Sequence, residues 1–144
     1  MSIWVVVADA SRARIFTVES RNGVLKEQRD YMHAESRMKG QDLETDSQGR
    51  SFDSGGQGRH AMGKEVGVRE REAETFAREI CEEINKAGKT GRFEKIYLVA
   101  SPQFLGNLRS HLDHSLKSMI AGEVDKNLVN HDSSDIRAHL PDFL

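Results

Sequence analysis

The residues best suited to chemistry lie in a glycine-rich stretch, 49–63, near the middle of the chain. Its central triplet is Gly55-Gly56-Gln57. The two glycines allow the backbone to approach a ligand closely, and the amide side chain offers two donors and one acceptor. An amide is not a general base near neutral pH, but Gln57 can orient a water molecule while its backbone N–H stabilises charge on a leaving oxygen. The triplet is interpreted as a functional loop tip, with an incidental glycine-rich linker as the alternative.

Cations surround this triplet and continue beyond it. Side chains of this type bind RNA phosphates, in contacts that weaken as the salt concentration rises. The candidate RNA-binding residues are Arg50, Arg59, His60, Lys64, Arg69 and Arg71. The alternative is a solvated loop and helix start, because four glutamates between positions 65 and 74 dilute the positive charge.

Other chemical groups are more isolated in the sequence. His111 and His114 are three residues apart, a spacing that can place two imidazoles on one helical face, but no third ligand has motif spacing. Asp9 follows an apolar run and is interpreted as a turn residue, with a site carboxylate as the alternative. We predict that Cys81 packs in the core, and we expect no metal and no cofactor, since no nucleotide-binding or zinc motif is present.

Length and charge restrict the class of protein. The chain has 144 residues, which suits a single domain, and a net charge of -2, so an RNA contact must come from a local cluster and no DNA binding is expected. One cysteine excludes an internal disulfide and suits a reducing compartment. The apolar run at the start is too short for a signal peptide, and no stretch approaches the roughly 20 apolar residues of a membrane span. These features predict a soluble cytoplasmic protein without membrane contact.

The first part of the chain predicts three strands in an antiparallel meander. The first covers 3–8 and is apolar throughout, the second covers 12–19, and the third covers 24–32 and is polar enough to lie near an edge. Asn22-Gly23 is a hairpin signal between the last two. Residues 33–65 show no period and predict a long, mobile, functional loop.

The second part predicts helices that alternate with strands. An apolar stripe with helical spacing predicts a helix over 68–87, in which Glu74 and Arg78 are spaced to pair. Further predicted elements are a buried strand 95–100, a helix from Pro102 to about His111, a helical turn within 115–120, a strand 123–129 and a helix 136–140 capped by Ser133 or Ser134. The order predicts a single α/β domain over 1–144, with a mixed sheet and helices packed on it.

Several motifs along the chain resemble a known family. They are Val7-Ala8-Asp9 with Ala13-Arg14-Ile15-Phe16, Arg50-Ser51-Phe52-Asp53-Ser54 with Gly58-Arg59-His60-Ala61-Met62, Phe76-Ala77-Arg78-Glu79, and Ser101-Pro102 with Phe104-Leu105-Gly106 and Leu108-Arg109. In these motifs the chain resembles the bacterial host-attachment protein family. That family in turn is similar to the central Gly-Gly-Gln domain of eukaryotic and archaeal peptide-chain release factors.

The resemblance implies two functions of different classes. The release-factor relationship implies binding to the ribosome or tRNA, with Gly55, Gly56 and Gln57 promoting hydrolysis of the peptidyl-tRNA ester or ribosome rescue. The alternative is a non-catalytic cytoplasmic binding protein with a protein partner and an indirect role in attachment to host cells. The sequence leaves open whether the protein is an enzyme.

Overall fold

Five strands and four helices make up the part of the chain that the structure describes. The structure is a computed structural model that describes residues 2–33 and 55–144, with side chains described over 2–33 and 67–144. The strands are β1 Ile3–Ala8, β2 Arg12–Val18, β3 Lys26–Met32, β4 Lys95–Ala100 and β5 Ile120–Val124. The helices are α1 Gly55–Lys89, α2 Pro102–His111, α3 His114–Lys117 and α4 Ser133–Ala138.

All five strands share one mixed sheet in the order β3-β2-β1-β4-β5. The first three pair antiparallel, whereas β1 pairs parallel with β4, and β4 pairs parallel with β5. The predicted α/β class, the N-terminal meander and the edge position of the third strand are therefore confirmed. The parallel pairs follow from the helical connections, because a strand that returns in the same direction needs a long crossover.

The central strands β1 and β4 are buried on both faces. Their side chains alternate between two apolar clusters, so Val6 and Ala8 face one side of the sheet while Val5 and Val7 face the other. Such strands carry continuous apolar runs because neither face meets water. The bounds predicted for both strands, 3–8 and 95–100, agree with the structure.

Two layers cover the sheet. On one face lie α1, α2 and α3, whose apolar side chains join the first cluster through residues such as Ile80, Leu108 and Leu116. On the other face lies the C-terminal segment with α4, which contributes Leu128 and Ile136 among others. The described elements therefore form three layers, with the sheet in the middle.

The first helix starts earlier than its apolar stripe predicted. It runs for 35 residues from Gly55 to Lys89, so the prediction of an irregular loop is wrong for residues 55–65, whose backbone is helical. Each glycine disfavours a helix by about 1 kcal/mol relative to alanine, but adding a residue to an existing helix avoids the unfavourable nucleation step. The rest of the predicted loop, 34–54, lies outside the described residues.

The C-terminal part differs from its predicted boundaries. The last strand is Ile120–Val124 rather than 123–129, and Leu128 and Val129 are buried beyond it. Their apolar character correctly indicated burial, but they are not part of a β-strand. The N-cap of α4 is Asp132, whose carboxylate accepts from the backbone N–H of Asp135, so the prediction of a serine cap is wrong.

Candidate nucleic-acid interface

Helix α1 carries nearly all of the residues that the sequence assigned to RNA. Arg50 lies outside the described residues, and the other eight predicted residues lie on this one helix. They are Gly55, Gly56, Gln57, Arg59, His60, Lys64, Arg69 and Arg71. At about 1.5 Å per residue the helix is about 52 Å long, and its described core contacts begin at Ala73.

Helical geometry divides these positions between two sides of α1. At about 100° per residue, positions 57, 60, 64, 71 and 78 fall within about 60° of one another. We call this row of positions (Gln57, His60, Lys64, Arg71 and Arg78) the outer ridge. It lies opposite the apolar stripe that faces the sheet, and the side chains described for it, those of Arg71 and Arg78, are exposed.

The helix does not bring the predicted cations onto a single face. Positions 59 and 69 fall on the side of the apolar stripe, about 120° or more from Arg71. Arg69 itself is exposed, since the core contacts begin only four residues later. Residues two apart on a helix do not share a face, so Arg69 and Arg71 lie on different sides of α1 and cannot contact the same phosphate row.

Three glutamates of α1 contact the body of the protein instead of the ridge. Glu72 Oε2 lies 2.9 Å from His33 Nε2, and Glu79 Oε2 lies 3.9 Å from Nδ1 of the same ring. Glu74 Oε1 lies 3.7 Å from His111 Nε2. These contacts draw the carboxylates to the flanks of the helix, away from the ridge cations.

Arg78 is a ridge residue that sequence reasoning missed. It was expected to pair with Glu74, but that carboxylate leans towards His111, and the expected pair is not formed. Within the described part of the chain, neither Arg71 nor Arg78 has a hydrogen bond or an ion pair with a side chain. The signal in the sequence was the spacing of seven residues between these two arginines, which is two helical turns.

His33 fastens the end of β3 to α1. The side chain of His33 is buried, since this residue is only 6 % exposed. Its ring packs on Phe76 with 5.0 Å between centroids, and its backbone N–H donates to Ser11 O. The chain is therefore held firmly at His33, the last described residue before 34–54.

Polar groups at the carboxyl end of β1 are occupied by structural contacts. Asp9 Oδ1 accepts from the backbone N–H groups of Ser11 and Arg12, which is turn chemistry and agrees with the predicted role. Arg12 forms a two-bond contact with Asp30, and its guanidinium holds the pKa of that carboxyl below the ordinary value. These groups therefore stabilise the edge of the sheet.

Cys81 packs in the core and does not resemble a nucleophile. It is fully buried, its thiol donates to Leu108 O, and burial raises its pKa to about 12. We predict that a maleimide at about pH 8 leaves Cys81 unmodified in the folded protein, because the reactive thiolate is scarcely populated. Mass spectrometry in urea provides the control, where one adduct is expected; rapid labelling without denaturant would contradict the burial.

The two histidines considered as metal ligands differ in their exposure to solvent. His111 Nε2 is buried and has no hydrogen-bond partner among the described residues, whereas His114 is exposed. No group of three or more histidine, cysteine, aspartate or glutamate side chains within the described residues could hold a metal ion. Likewise, none of the described helices has both the length and the apolar character that crossing a bilayer requires.

Comparisons with known proteins identify one matching family. The family described as "Protein required for attachment to host cells" matches residues 4–140. No curated protein sequence matches the chain. Among solved structures, the archaeal translation termination factor aRF1 is similar with a TM-score of 0.49 and 10 % sequence identity, over 85 % of this chain and 29 % of that protein. The chain therefore spans less than a third of the length of that solved structure.

Proposed function

The chain belongs to the family of proteins required for attachment to host cells, and from this premise we propose that it binds ribosomal or transfer RNA in the cytoplasm. The contact surface is the outer ridge of α1, with Gly55, Gly56 and Gln57 at the N-terminal end of the same helix. Lys64 belongs to this ridge, and Arg50, Arg59 and Arg69 would add RNA contacts outside it.

The observation that carries this proposal is that Arg71 and Arg78 have no ion-pair partner within the described residues. Both arginines are exposed, and no carboxylate among the described residues pairs with either of them. An exposed guanidinium without an internal partner is free to form two parallel hydrogen bonds with a phosphate. Two such groups about 10 Å apart along one helix face suit a polyanion with regularly spaced charges.

A local surface is the form of recognition that this chain can offer. The net charge of -2 gives no general attraction to nucleic acid. Two of the glutamates that would weaken a local field, Glu72 and Glu74, lie near His33 and His111 on the flanks of α1. Attraction to RNA would therefore be concentrated on the ridge and reduced by salt.

The N-terminal end of α1 supports a chemical role for the triplet. The first four backbone N–H groups of any α-helix have no acceptor within the helix, and they carry the positive end of its dipole. At Gly55, Gly56 and Gln57 these groups would stabilise the negative charge that develops on the 3′ oxygen of tRNA. A water oriented by the Gln57 amide would attack the ester carbonyl, the bond between the acyl carbon and the 3′ oxygen would break, and a proton of that water would pass to the 3′ oxygen as the peptide leaves with a free carboxyl group.

A second function keeps the RNA contact and omits the chemistry. The description of the family concerns attachment to host cells, which favours a binding protein that acts on attachment through a further protein partner. The two functions differ in their dependence on Gln57. If Gln57→Ala leaves peptidyl-tRNA hydrolysis on stalled ribosomes unchanged, the catalytic role fails and the binding role stands.

The decisive experiment is co-sedimentation of the purified protein with ribosomes over a range of salt concentrations. We expect much less of the double variant Arg71→Glu/Arg78→Glu to sediment with ribosomes. The slope of the logarithm of its association constant against the logarithm of the salt concentration should be shallower by about 2, one unit for each phosphate that the variant no longer neutralises. A matched control is Lys117→Glu/Lys126→Glu, which makes the same change in net charge at exposed positions that are not on α1.

Two outcomes decide the proposal. If only the ridge variant fails to bind, the ridge is the RNA contact. If both variants bind like the wild type at low salt, or if both are weakened equally, the RNA-binding function of this face is wrong. Circular dichroism of each variant serves as the folding check, and all four residues are exposed, so a loss of helix is not expected.

A further inference from the structure

A second basic surface lies near the other end of α1, against the edge of the sheet. A cavity of about 270 Å³ is bordered by β1, β2 and β3 on one side and by the last turns of α1 on the other. An adjoining cavity of about 520 Å³ shares Trp4, Arg29 and Arg92 with the first one. We call this region the basic cleft and define it by Trp4, Arg29, Tyr31, Lys86 and Arg92.

The cleft exists because the helices cover only part of the sheet. Helices α1 to α3 pack over the central strands, while most side chains of the edge strand β3 remain exposed. Ile15 forms an apolar floor between the edge strand and the helix. The opening is thus a consequence of sheet width, and its walls belong to the sheet, to α1 and to the turn that follows α1.

The positive charge of the cleft is not neutralised. Arg29, Lys86 and Arg92 are exposed, and within the described residues none of these three cations forms an ion pair or a side-chain hydrogen bond. Glu83 is the one acidic side chain that lines the cavity. The surface therefore has three cations for one carboxylate, which favours an anion of more than one charge.

The C-terminal end of α1 does not cancel this preference. Its last carbonyls would repel an anion if they were free. Lys86 O accepts from Thr90, Gly88 O accepts from the backbone N–H of Gly91, and Ala87 O accepts from the N–H of Arg92. The residues that end the helix thus occupy the partial negative charges next to the cleft.

Two aromatic rings supply an apolar surface beside the cations. Trp4 and Tyr31 are both partly exposed, and both line the cavity. The Trp4 indole is supported from behind by Phe93, with 5.0 Å between ring centroids. A ring held in this way offers a stacking surface for a planar base, which contributes affinity with little dependence on base identity.

We propose that the basic cleft binds a nucleoside phosphate, a free nucleotide with one or more phosphate groups. The base stacks on Trp4 or Tyr31, the phosphates reach Arg29, Lys86 and Arg92, and Glu83 accepts from a ribose hydroxyl or an exocyclic amine. Small-molecule sites usually have volumes of about 300 to 1,000 Å³. The first cavity lies just below this range and the adjoining one lies within it, which suits a single nucleotide. This site is separate from the outer ridge and does not depend on the function proposed above.

The chain provides its own reporter for a test. Trp4 is the only tryptophan in the sequence, so intrinsic fluorescence reads the cleft directly. We expect ATP and AMP to quench this fluorescence with saturation, and adenosine or inorganic phosphate to act far more weakly. The double variant Arg29→Ser/Arg92→Ser should weaken the binding of ATP about tenfold or more, because it removes charge-assisted hydrogen bonds to phosphate.

Controls separate the cleft from general charge effects. Lys117→Ser/Lys126→Ser removes two exposed cations elsewhere and should bind ATP like the wild type. Tyr31→Ala should also weaken ATP binding, and this variant keeps Trp4 as the reporter. Trp4→Phe removes the reporter, so its ATP binding is measured by calorimetry. If millimolar ATP gives no saturable quenching, or if the cleft variants bind as the wild type does, the proposal is wrong.

One further arm distinguishes a free nucleotide from a strand. A short single-stranded RNA without a terminal phosphate is titrated under the same conditions. Tighter binding of the RNA than of ATP, abolished in Arg29→Ser/Arg92→Ser, would show that the cleft holds a strand and would overturn the nucleotide proposal. Ribosome co-sedimentation of the same variant is expected to match the wild type, so failure of this proposal and failure of the ridge are distinguishable.

Discussion

Replacing Arg14 with alanine will lower the free energy of unfolding by about 3 kcal/mol, although this residue contacts no proposed ligand. Arg14 is 8 % exposed, and its guanidinium donates to Val129 O at 2.9 Å and to His131 O at 2.6 Å. It also forms an ion pair with Glu27 at 2.6 Å. The alanine variant would leave two backbone carbonyls and one carboxylate without their donor.

The position of these acceptors explains the size of the effect. Val129 and His131 belong to the C-terminal segment that covers one face of the sheet, and Glu27 belongs to the edge strand. Arg14 thus joins three parts of the chain from a single buried position. The expected loss in the free energy of unfolding is near the lower limit for breaking a buried ion pair, because the Glu27 side chain is 34 % exposed and water screens the pair.

Urea unfolding followed by circular dichroism measures this change. The matched control is Arg109→Ala, which removes an ion pair of the same length, 2.6 Å to Glu123, from a side chain that is 53 % exposed. We expect the control to leave the unfolding midpoint almost unchanged. An Arg14→Ala midpoint equal to that of the control would contradict the burial of this guanidinium.

Replacing Phe76 with alanine is expected to cost about 4 kcal/mol in the free energy of unfolding. Phe76 is 2 % exposed, and its ring lies 5.0 Å from the His33 ring and 6.1 Å from the Phe104 ring. Deletion of the ring leaves a cavity where α1, α2 and the end of β3 meet. Because rigid helices refill such a space poorly, most of the packing free energy is lost.

Chemical denaturation compares the free energies of unfolding of Phe76→Ala and of the control Phe143→Ala. Phe143 is 64 % exposed and lies beside the Arg21 guanidinium, so its replacement should cost less than about 1 kcal/mol. The Phe76 variant is also expected to lose ribosome co-sedimentation as α1 loosens, with recovery in Phe76→Leu. Equal stability of the two alanine variants would mean that α1 is not anchored by this ring.

Local patterns determined much of this fold from the sequence. The continuous apolar runs of β1 and β4 predicted both strands with correct bounds, because only a strand buried on both faces tolerates them. The apolar stripe that ends at Ala87 predicted the packed part of α1, since a helix of this kind is held by one face. The family was also recognisable, because its motifs are contiguous stretches along most of the chain.

Tertiary structure alone decided which charges are free. The glutamates of α1 appear in the sequence to neutralise the nearby arginines, yet His33 and His111 draw Glu72 and Glu74 to the sides of the helix. Arg14 looks like an ordinary strand cation, and its two backbone acceptors lie more than a hundred residues later in the chain. The basic cleft joins Trp4, Arg29 and Arg92, which no local period connects. Propensity and periodicity act over a few residues, whereas pairing, burial and clefts depend on segments that only the folded sheet brings together.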